Sequence, residues 1–306
     1  MTDPFPDVVR VEPVGLCNFR CRHCLTGQKP NRRQQMPYHK FQQILSQFVE
    51  ADQIPRVMVF YHGGEPLLNQ DLESFIAAAK EAGVQKTVIT TNGSLLDEDR
   101  AKALLDVGLD EMKVSFDGNS AEENNWVRRN ADFFHDAGNI KHLLQIKKER
   151  GLDYPTVRIS NVSICSEQDV DRVYESGMEP VDTLPEYIQD FFAEYLDLVD
   201  YQTVTAMVWP GYQVEKPFSA KSFPSLKPRY CSIIFETVSI LANGDIVPCC
   251  YDIGGQFVVG NVFENSIFDI WENQEYIEFR KDFRKGKYNN LCLSCKNVIP
   301  RLLCQA

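Results

Sequence analysis

The sequence predicts an α/β fold, a partial barrel of six strand–helix units followed by a small C-terminal region. Short apolar runs rich in β-branched and aromatic residues alternate with segments of helical periodicity between residues 9 and 208. Polar motifs follow several of the strand-like runs directly, at the sheet edge where such folds place functional sites. Regular alternation implies parallel strands with right-handed crossovers. Six units suit an open, TIM-like partial barrel rather than a closed barrel of eight.

The individual elements follow from local periodicity and from turn residues. The predicted strands are 9–14, 56–61, 86–91, 111–116, 156–164 and 201–208. The predicted helical segments are about 39–51, 69–82, 97–107, 121–150 and 185–199. The first helix is typical, with Phe41, Ile44, Leu45 and Phe48 at helical spacing. Glycine-containing turns close the second helix and the third and fourth strands.

Composition excludes several classes of function. The chain has 306 residues and a formal net charge of −11, which argues against nucleic acid as a partner. The N-terminus lacks the features of a signal peptide, and no apolar run approaches the length of a membrane span. We therefore expect a cytoplasmic protein without a membrane partner. Its ten cysteines are then expected to be reduced, so that clustered cysteines indicate metal ligands rather than disulfides.

Three cysteines lie in one short loop directly after the first predicted strand. Cys17, Cys21 and Cys24 have the spacing C-x3-C-x2-C, and the next cysteine, Cys165, is far along the chain. Soft thiolate ligands select iron–sulfur clusters or zinc. Three ligands without a nearby fourth predict an iron–sulfur cube with one open iron. The alternatives are a three-cysteine zinc loop and a chance cluster.

Three further motifs follow the second, third and fourth strands: Gly63-Gly64-Glu65-Pro66, Thr91-Asn92-Gly93 and Ser115-Phe116-Asp117-Gly118. Together with the cysteine loop, and in this order, they resemble the radical S-adenosylmethionine (radical SAM) superfamily over residues 9–210. The resemblance implies that the three cysteines hold a [4Fe-4S] cluster whose free iron is chelated by SAM. It also implies SAM contacts from His23, Gly63, Gly64, Glu65, Asn92, Ser115, Asp117 and Arg128, with Arg129 as the alternative to Arg128.

A second set of cysteines lies near the C-terminus. Cys231, Cys249, Cys292 and Cys295 accompany a hairpin predicted around Asn243-Gly244 and a helix predicted over about 266–284. Four thiolates suit a structural zinc or a fully ligated [4Fe-4S] cluster, and the residues alone leave both open. The segment resembles the SPASM/twitch extension of radical SAM enzymes, which implies one auxiliary [4Fe-4S] cluster. Cys165, Cys250 and Cys304 are not assigned as ligands.

These assignments divide the chain into a radical SAM partial barrel (1–210) and an auxiliary-cluster domain (211–306), separated by a linker rich in Pro, Ser and Lys. The resemblance implies that SAM is cleaved to a 5′-deoxyadenosyl radical, which abstracts a substrate hydrogen. We expect a net oxidation of a small polyhydroxylated or aminocyclitol-like molecule. The alternatives are a maturase of a ribosomally made peptide and a non-catalytic iron–sulfur scaffold. A flavodoxin or ferredoxin is the expected reducing partner. No catalytic acid or base is assigned, and the candidates are Asp245, Glu236, Tyr251 and Asp252.

Overall fold

A computed structural model describes residues 3–28, 35–163, 184–205 and 231–293. The strands are β1 Val8–Val11, β2 Val57–Val59, β3 Lys86–Thr91, β4 Glu111–Asp117, β5 Thr156–Ser163, β6 Val199–Thr205, β7 Thr237–Ile240, β8 Asp245–Val247 and β9 Gly260–Asn261. They form one sheet in the order β6-β5-β4-β3-β2-β1-β7-β8-β9. Strands β1 to β6 pair in parallel, as predicted, and the sheet is an open partial barrel rather than a closed one.

Helices connect the parallel strands and follow the last hairpin. They are α1 Leu25–Gln28, α2 Tyr38–Glu50, α3 Leu72–Glu81, α4 Glu98–Asp106, α5 Ala121–Val127, α6 Phe133–Glu149, α7 Glu186–Phe191, α8 Ser232–Glu236, α9 Ile267–Trp271, α10 Gln274–Arg284 and α11 Asn290–Leu293. Short 3-10 helices cover Pro66–Leu68 and Ala193–Leu198. None of the helices in the described ranges is both long and apolar enough to cross a membrane.

The core lies between the sheet and its helices. Alternate residues of β1, Val9 and Val11, are fully buried on the helix-facing side of the sheet. Phe41 of α2 stacks on Phe75 of α3 at 4.3 Å and meets the edge of Phe60 at 5.6 Å. Burying one such side chain contributes about 1.5–3 kcal/mol. The opposite, concave face carries the polar members of the same strands.

Two predicted helices are each divided into two α-helices, and the segment predicted at 185–199 forms α7 and a 3-10 helix before β6. The segment predicted at 121–150 forms α5 and α6, because Asn130 adopts a left-handed conformation (φ 75°) and Asp132 caps α6. The segment predicted at 266–284 forms α9 and α10, and the side chain of Asn273 accepts a hydrogen bond from the Tyr276 amide to cap the second. Both breaks occur at Asn or Asp, the residues that favour helix starts over helix interiors.

The C-terminal hairpin continues the main sheet. Strand β7 pairs in parallel with β1 over the whole length of both strands, from Val8 opposite Thr237 to Val11 opposite Ile240. Strands β8 and β9 then add in antiparallel orientation. The first and last regions of the described chain are therefore hydrogen-bonded neighbours. Cys165, Cys295, Cys304 and the predicted linker lie outside the described residues, and the division at residue 210 stays a prediction.

Candidate active site

The cysteine loop joins the end of β1 to α1. Cys21 is buried, whereas Cys17 and Cys24 are half-buried. Backbone hydrogen bonds join the loop to the residues after α5: the Arg20 amide donates to the Arg129 carbonyl (3.0 Å) and the Arg22 amide to the Val127 carbonyl (2.8 Å). The loop is therefore fixed on one side by the segment that follows β4.

Two thiols of this loop, those of Cys17 and Cys21, have raised pKa values that disfavour the thiolate. Burial raises the pKa of Cys17 to about 12, and the neighbouring Glu65 carboxylate acts in the same direction. Burial also raises the pKa of Cys21 well above its ordinary value, although the Arg128 guanidinium opposes the shift. A bound metal cluster would displace these protons and compensate the thiolate charge.

Glu65 connects two of the sequence motifs. Its Oε1 accepts hydrogen bonds from the Thr91 hydroxyl (2.6 Å) and the Leu67 amide (3.1 Å), and its Oε2 accepts from the Asn92 amide (2.8 Å). Burial raises the pKa of Glu65 to about 6, despite these donors. The carboxylate thus holds the end of β3 against the loop after β2.

Gly64 packs against the peptide backbone that enters the cysteine loop. A Cβ at Gly64 would lie 2.1 Å from the Val14 carbonyl oxygen and 2.5 Å from that of Leu16. The space that a side chain would fill is thus taken by protein backbone. The Gly63 amide donates to Glu12 Oε1 (3.1 Å), and the Glu65 amide donates to the Leu16 carbonyl (2.8 Å). The glycines place this loop directly against the cysteine loop.

Asn92 provides a second connection. Its side-chain amide donates to Asn18 Oδ1 (3.0 Å) and lies 4.0 Å from the Cys17 sulfur. Ser94 completes the link, because its hydroxyl donates to Asn92 Oδ1 (2.7 Å) and accepts from the Asn18 amide group (2.8 Å). The predicted site residue Asn92 therefore lies next to a predicted cluster ligand.

The fourth motif contributes a buried ion pair. Arg128 Nε lies 2.7 Å from Asp117 Oδ2, and His23 Nε2 lies 3.9 Å from the same oxygen. Burial lowers the pKa of His23, and the Asp117 charge opposes that shift. Burial alone would lower the pKa of Arg128, but Asp117 and the cysteines raise it. Ser115 is half-buried on β4, on the same face as Asp117.

The residues present fit an iron–sulfur cluster with bound SAM. Three thiols lie on one loop, and Asp117 Oδ1 is buried without a donor in the described part of the chain, so it can accept from a hydroxyl or ammonium group. Within the described ranges, no three His, Cys, Asp or Glu side chains surround a single metal ion. The thiolates of a cubic cluster bind separate irons, so a cluster does not require that arrangement.

Three of the four predicted C-terminal ligands are among the described residues. Cys231 precedes α8 and is half-buried, Cys249 follows β8 and is buried, and Cys292 is half-buried in α11. Burial raises the pKa of Cys231, while the Ile233 and Ile234 amides donate toward its sulfur. The fourth predicted ligand, Cys295, lies outside the described residues.

Two of the candidate acids or bases have structural partners. Asp252 is fully buried and accepts from the Gln256 amide (2.7 Å) and the Phe257 amide (2.9 Å), which stabilises the turn after β8. Asp245 accepts from the side-chain amides of Asn243 and Asn261. Both carboxylates belong to the C-terminal hairpin region and not to the Cys17–Cys24 loop.

Sequence reasoning missed Glu12 and Asn18. Glu12 is fully buried, and its two oxygens accept from the Gly63 amide (3.1 Å) and the Ala242 amide (3.0 Å). It therefore connects the Gly63-Gly64-Glu65-Pro66 loop to the C-terminal hairpin. The alternation of apolar and polar residues in Val9-Arg-Val-Glu12 places Arg10 and Glu12 on the concave face, and this signal was available from the sequence.

Comparison with known proteins gives two family matches. The model of the radical SAM superfamily matches residues 11–196, and that of the SPASM iron–sulfur cluster-binding domain matches residues 231–296. The S-adenosyl-L-methionine-dependent 2-deoxy-scyllo-inosamine dehydrogenase of Niallia circulans is 23% identical, covering 97% of this chain and 95% of the relative. The GTP 3′,8-cyclase of Aquifex aeolicus is 34% identical, covering 92% and 94%.

Solved structures show the same fold. The structure of BtrN in complex with AdoMet and 2-DOIA matches with a TM-score of 0.63 and 21% identity, covering 97% of this chain and 95% of BtrN. Streptococcus suis SuiB bound to its precursor peptide SuiA matches with a TM-score of 0.60 and 19% identity, covering 95% and 70%. The chain is therefore an enzyme of the radical SAM superfamily with a C-terminal SPASM domain, and this membership implies SAM and iron–sulfur cofactors.

Proposed function

We propose that this enzyme cleaves SAM reductively at the Cys17–Cys24 loop and oxidises a small polyhydroxylated substrate, of the aminocyclitol-like type. One observation carries the proposal: four motifs from separate strand ends meet at one edge of the sheet. Glu65 binds the Thr91-Asn92 segment, Asn92 contacts the cysteine loop, and the Asp117–Arg128 pair lies beside His23 of that loop.

Each residue of the site has a role in this proposal. Cys17, Cys21 and Cys24 would hold a [4Fe-4S] cluster. The SAM contacts would come from His23, Gly63, Gly64, Glu65, Asn92, Ser115, Asp117 and Arg128. When bound, the cluster and SAM supply a 5′-deoxyadenosyl radical that removes a hydrogen atom from the substrate. The protein holds the loop rigid through Glu65 and Asn92 and balances the buried charge of Asp117 with Arg128.

The C-terminal cysteines support a net oxidation. Cys231, Cys249, Cys292 and Cys295 would ligate a second [4Fe-4S] cluster completely. A cluster with four protein ligands has no open iron, which suits electron transfer rather than substrate binding. A flavodoxin or ferredoxin would deliver the electron that the first cluster requires.

The choice of substrate class has two supports. The dehydrogenase from Niallia circulans aligns with this chain over nearly the whole length of both proteins. The concave face of the sheet also carries Lys113, Ser115 and Ser160, which are half-buried polar side chains suited to a hydroxylated ligand. A second candidate, a maturase of a ribosomally made peptide, is favoured by the likeness of fold to SuiB with its precursor peptide.

The test is anaerobic reconstitution with iron and sulfide, followed by addition of SAM and dithionite. We expect 5′-deoxyadenosine and methionine, and about eight irons per chain for two cubes. Intact clusters that yield no 5′-deoxyadenosine would favour the non-catalytic scaffold. Parallel reactions with 2-deoxy-scyllo-inosamine, GTP and candidate precursor peptides separate the substrate classes, since 5′-deoxyadenosine formation should increase with the class that binds.

A further inference from the structure

The concave face of the sheet carries an arginine that has no carboxylate partner. The Nη1 group of Arg10 donates to the Tyr61 carbonyl (3.2 Å), and its guanidinium carbon lies 4.5 Å from the centre of the Tyr61 ring. Its Nε is buried with no acceptor, and in the described ranges no carboxylate lies within ion-pair distance of Arg10. Removing a charge from water is costly unless a counter-charge or strong acceptor replaces the water.

A second polar group beside Arg10 also lacks a partner. Ser239 on β7 is the registered neighbour of Arg10 on β1. It is fully buried, and its hydroxyl has no hydrogen bond to any described residue. Buried polar atoms in native proteins nearly always have a partner, so two adjacent atoms without one among the described residues mark a candidate ligand site.

This pair lies between the two cysteine regions. Tyr61, on which Arg10 stacks, directly precedes the His62-Gly63-Gly64 loop that contacts the cysteine loop. On the other side, β7, which carries Ser239, pairs with β8, and the proposed cluster ligand Cys249 follows β8. A molecule held by Arg10 would therefore be placed where the proposed chemistry occurs.

Another arginine on the same face provides a contrast. Arg158 of β5 lies 3.4 Å from Glu111 and 3.2 Å from Asp200, so its charge is balanced within the protein. Among the described residues, Arg10 therefore differs from Arg158 in having no carboxylate partner. A guanidinium with free N–H groups matches the planar geometry of a carboxylate or the oxygens of a phosphate.

We propose that Arg10, with Ser239, binds an oxyanion of the substrate, so that the substrate is a hydroxylated molecule carrying a carboxylate or phosphate group. This inference rests on the proposed function, because it concerns the substrate of the same site. It narrows the proposed polyhydroxylated substrate class to molecules that also carry a carboxylate or phosphate group.

The test is anion binding to the reconstituted enzyme saturated with SAM. Inorganic phosphate and glycolate are titrated separately and followed by phosphorus and carbon NMR, which distinguishes the two sources of the oxyanion. We expect at least one to bind, and Arg10→Gln to weaken that binding at least tenfold, because charge-assisted hydrogen bonds are lost. Arg10→Lys should weaken it less. The matched control Arg158→Gln should change it less than about twofold, because that arginine already has two carboxylate partners.

Several results would overturn the proposal. The first is that neither anion binds to the unaltered enzyme. The second is that the folded Arg10→Lys and Arg10→Gln variants both bind the anion as tightly as the unaltered enzyme does. The third is that Arg158→Gln loses as much anion affinity as Arg10→Gln. Anion binding that disappears when SAM is added would assign Arg10 to the SAM site instead. A failure of the proposed function is distinguishable from these results. In that case the enzyme binds the anion normally but forms no 5′-deoxyadenosine from SAM and dithionite.

Discussion

The two cysteine regions of this chain are held in place by different interactions. Polar side chains from three other motifs surround the N-terminal loop, with Glu65, Asn92 and the Asp117–Arg128 pair as the central members. In the region that carries the C-terminal cysteines, aromatic rings pack against one another: Trp271 and Tyr276 meet at 5.0 Å, and Phe257 and Phe279 at 5.1 Å.

This difference fits the different tasks proposed for the two regions. A site that binds SAM needs donors and acceptors around an open iron, and these groups must be oriented before the ligand arrives. A closed cluster needs only rigid placement and shielding from water. Glu12 joins the two regions, because it accepts from both Gly63 and Ala242.

The largest expected effect comes from removing cysteines. Replacing Cys17, Cys21 and Cys24 together by Ser should abolish the SAM-binding cluster but leave the C-terminal one, with about four irons per chain remaining. Replacing Cys231, Cys249 and Cys292 should remove the other cluster instead. Iron and sulfide analysis with electron paramagnetic resonance measures both, and an unchanged iron content in either variant would contradict the ligand assignment.

A smaller effect is expected from the buried arginines of the two regions. Arg128→Met leaves the Asp117 carboxylate buried without its partner, which should lower the free energy of unfolding by about 3–5 kcal/mol. Arg280 is fully buried, 2.9 Å from Asp3 and stacked on Trp271, but Asp3 is partly exposed. Arg280→Met should therefore cost less, about 1–3 kcal/mol.

The control for this pair is Arg150, whose ion pair with Asp106 is exposed. Arg150→Ala should change the free energy of unfolding by no more than about 1 kcal/mol. Chemical denaturation under anaerobic conditions gives all three values. A larger loss for Arg280→Met than for Arg128→Met would reverse the proposed contrast between the regions.

Substitution of one glycine in each region tests how closely the backbone is packed there. Gly64→Ala places a Cβ against the Val14 and Leu16 carbonyls, and we expect a loss of about 1–3 kcal/mol together with weaker SAM binding. Gly244→Ala meets the Phe263 ring at a φ of +88°, and should destabilise the hairpin without weakening SAM binding.

Gly138→Ala in α6 is the control for both, because nothing lies within 4 Å of its added Cβ. It should stabilise the protein by about 0.5–1 kcal/mol, since Ala favours the helix. Thermal unfolding and SAM titration distinguish the three variants. Normal SAM binding by Gly64→Ala would show that the close contact with the cysteine loop is not needed.

The last prediction on stability concerns pH. The folded-state pKa of Glu65, about 6, exceeds that of an unfolded glutamate, so the folded protein binds its proton more tightly. Ionised Glu65 therefore lowers the free energy of unfolding above pH 6, and the pKa shift corresponds to about 2 kcal/mol. This destabilisation disappears as the pH falls through 6 toward 4.5. Glu65→Gln should flatten this part of the stability profile. An identical profile in the variant would exclude Glu65 as its source.

The sequence predicted the parts of this site that depend on local order. Strand–helix alternation predicted the parallel sheet, and motifs after the strands predicted residues that the structure brings together, such as Glu65 and Asn92. The pairing of β7 with β1 was not predictable from periodicity, because it joins residues about 230 positions apart. Strand alternation can place Glu12 on the polar face, but its contact with Ala242 was not predictable, because Ala242 belongs to that distant hairpin.

The most direct test of the account measures 5′-deoxyadenosine in three reconstituted proteins given SAM and dithionite. We expect the unaltered enzyme to form it, the Cys17/Cys21/Cys24→Ser variant to form none, and the Cys231/Cys249/Cys292→Ser variant to retain SAM cleavage while losing substrate oxidation. Formation of 5′-deoxyadenosine by the first variant, or its complete absence from a folded second variant with its N-terminal cluster intact, would contradict the division of tasks between the two regions.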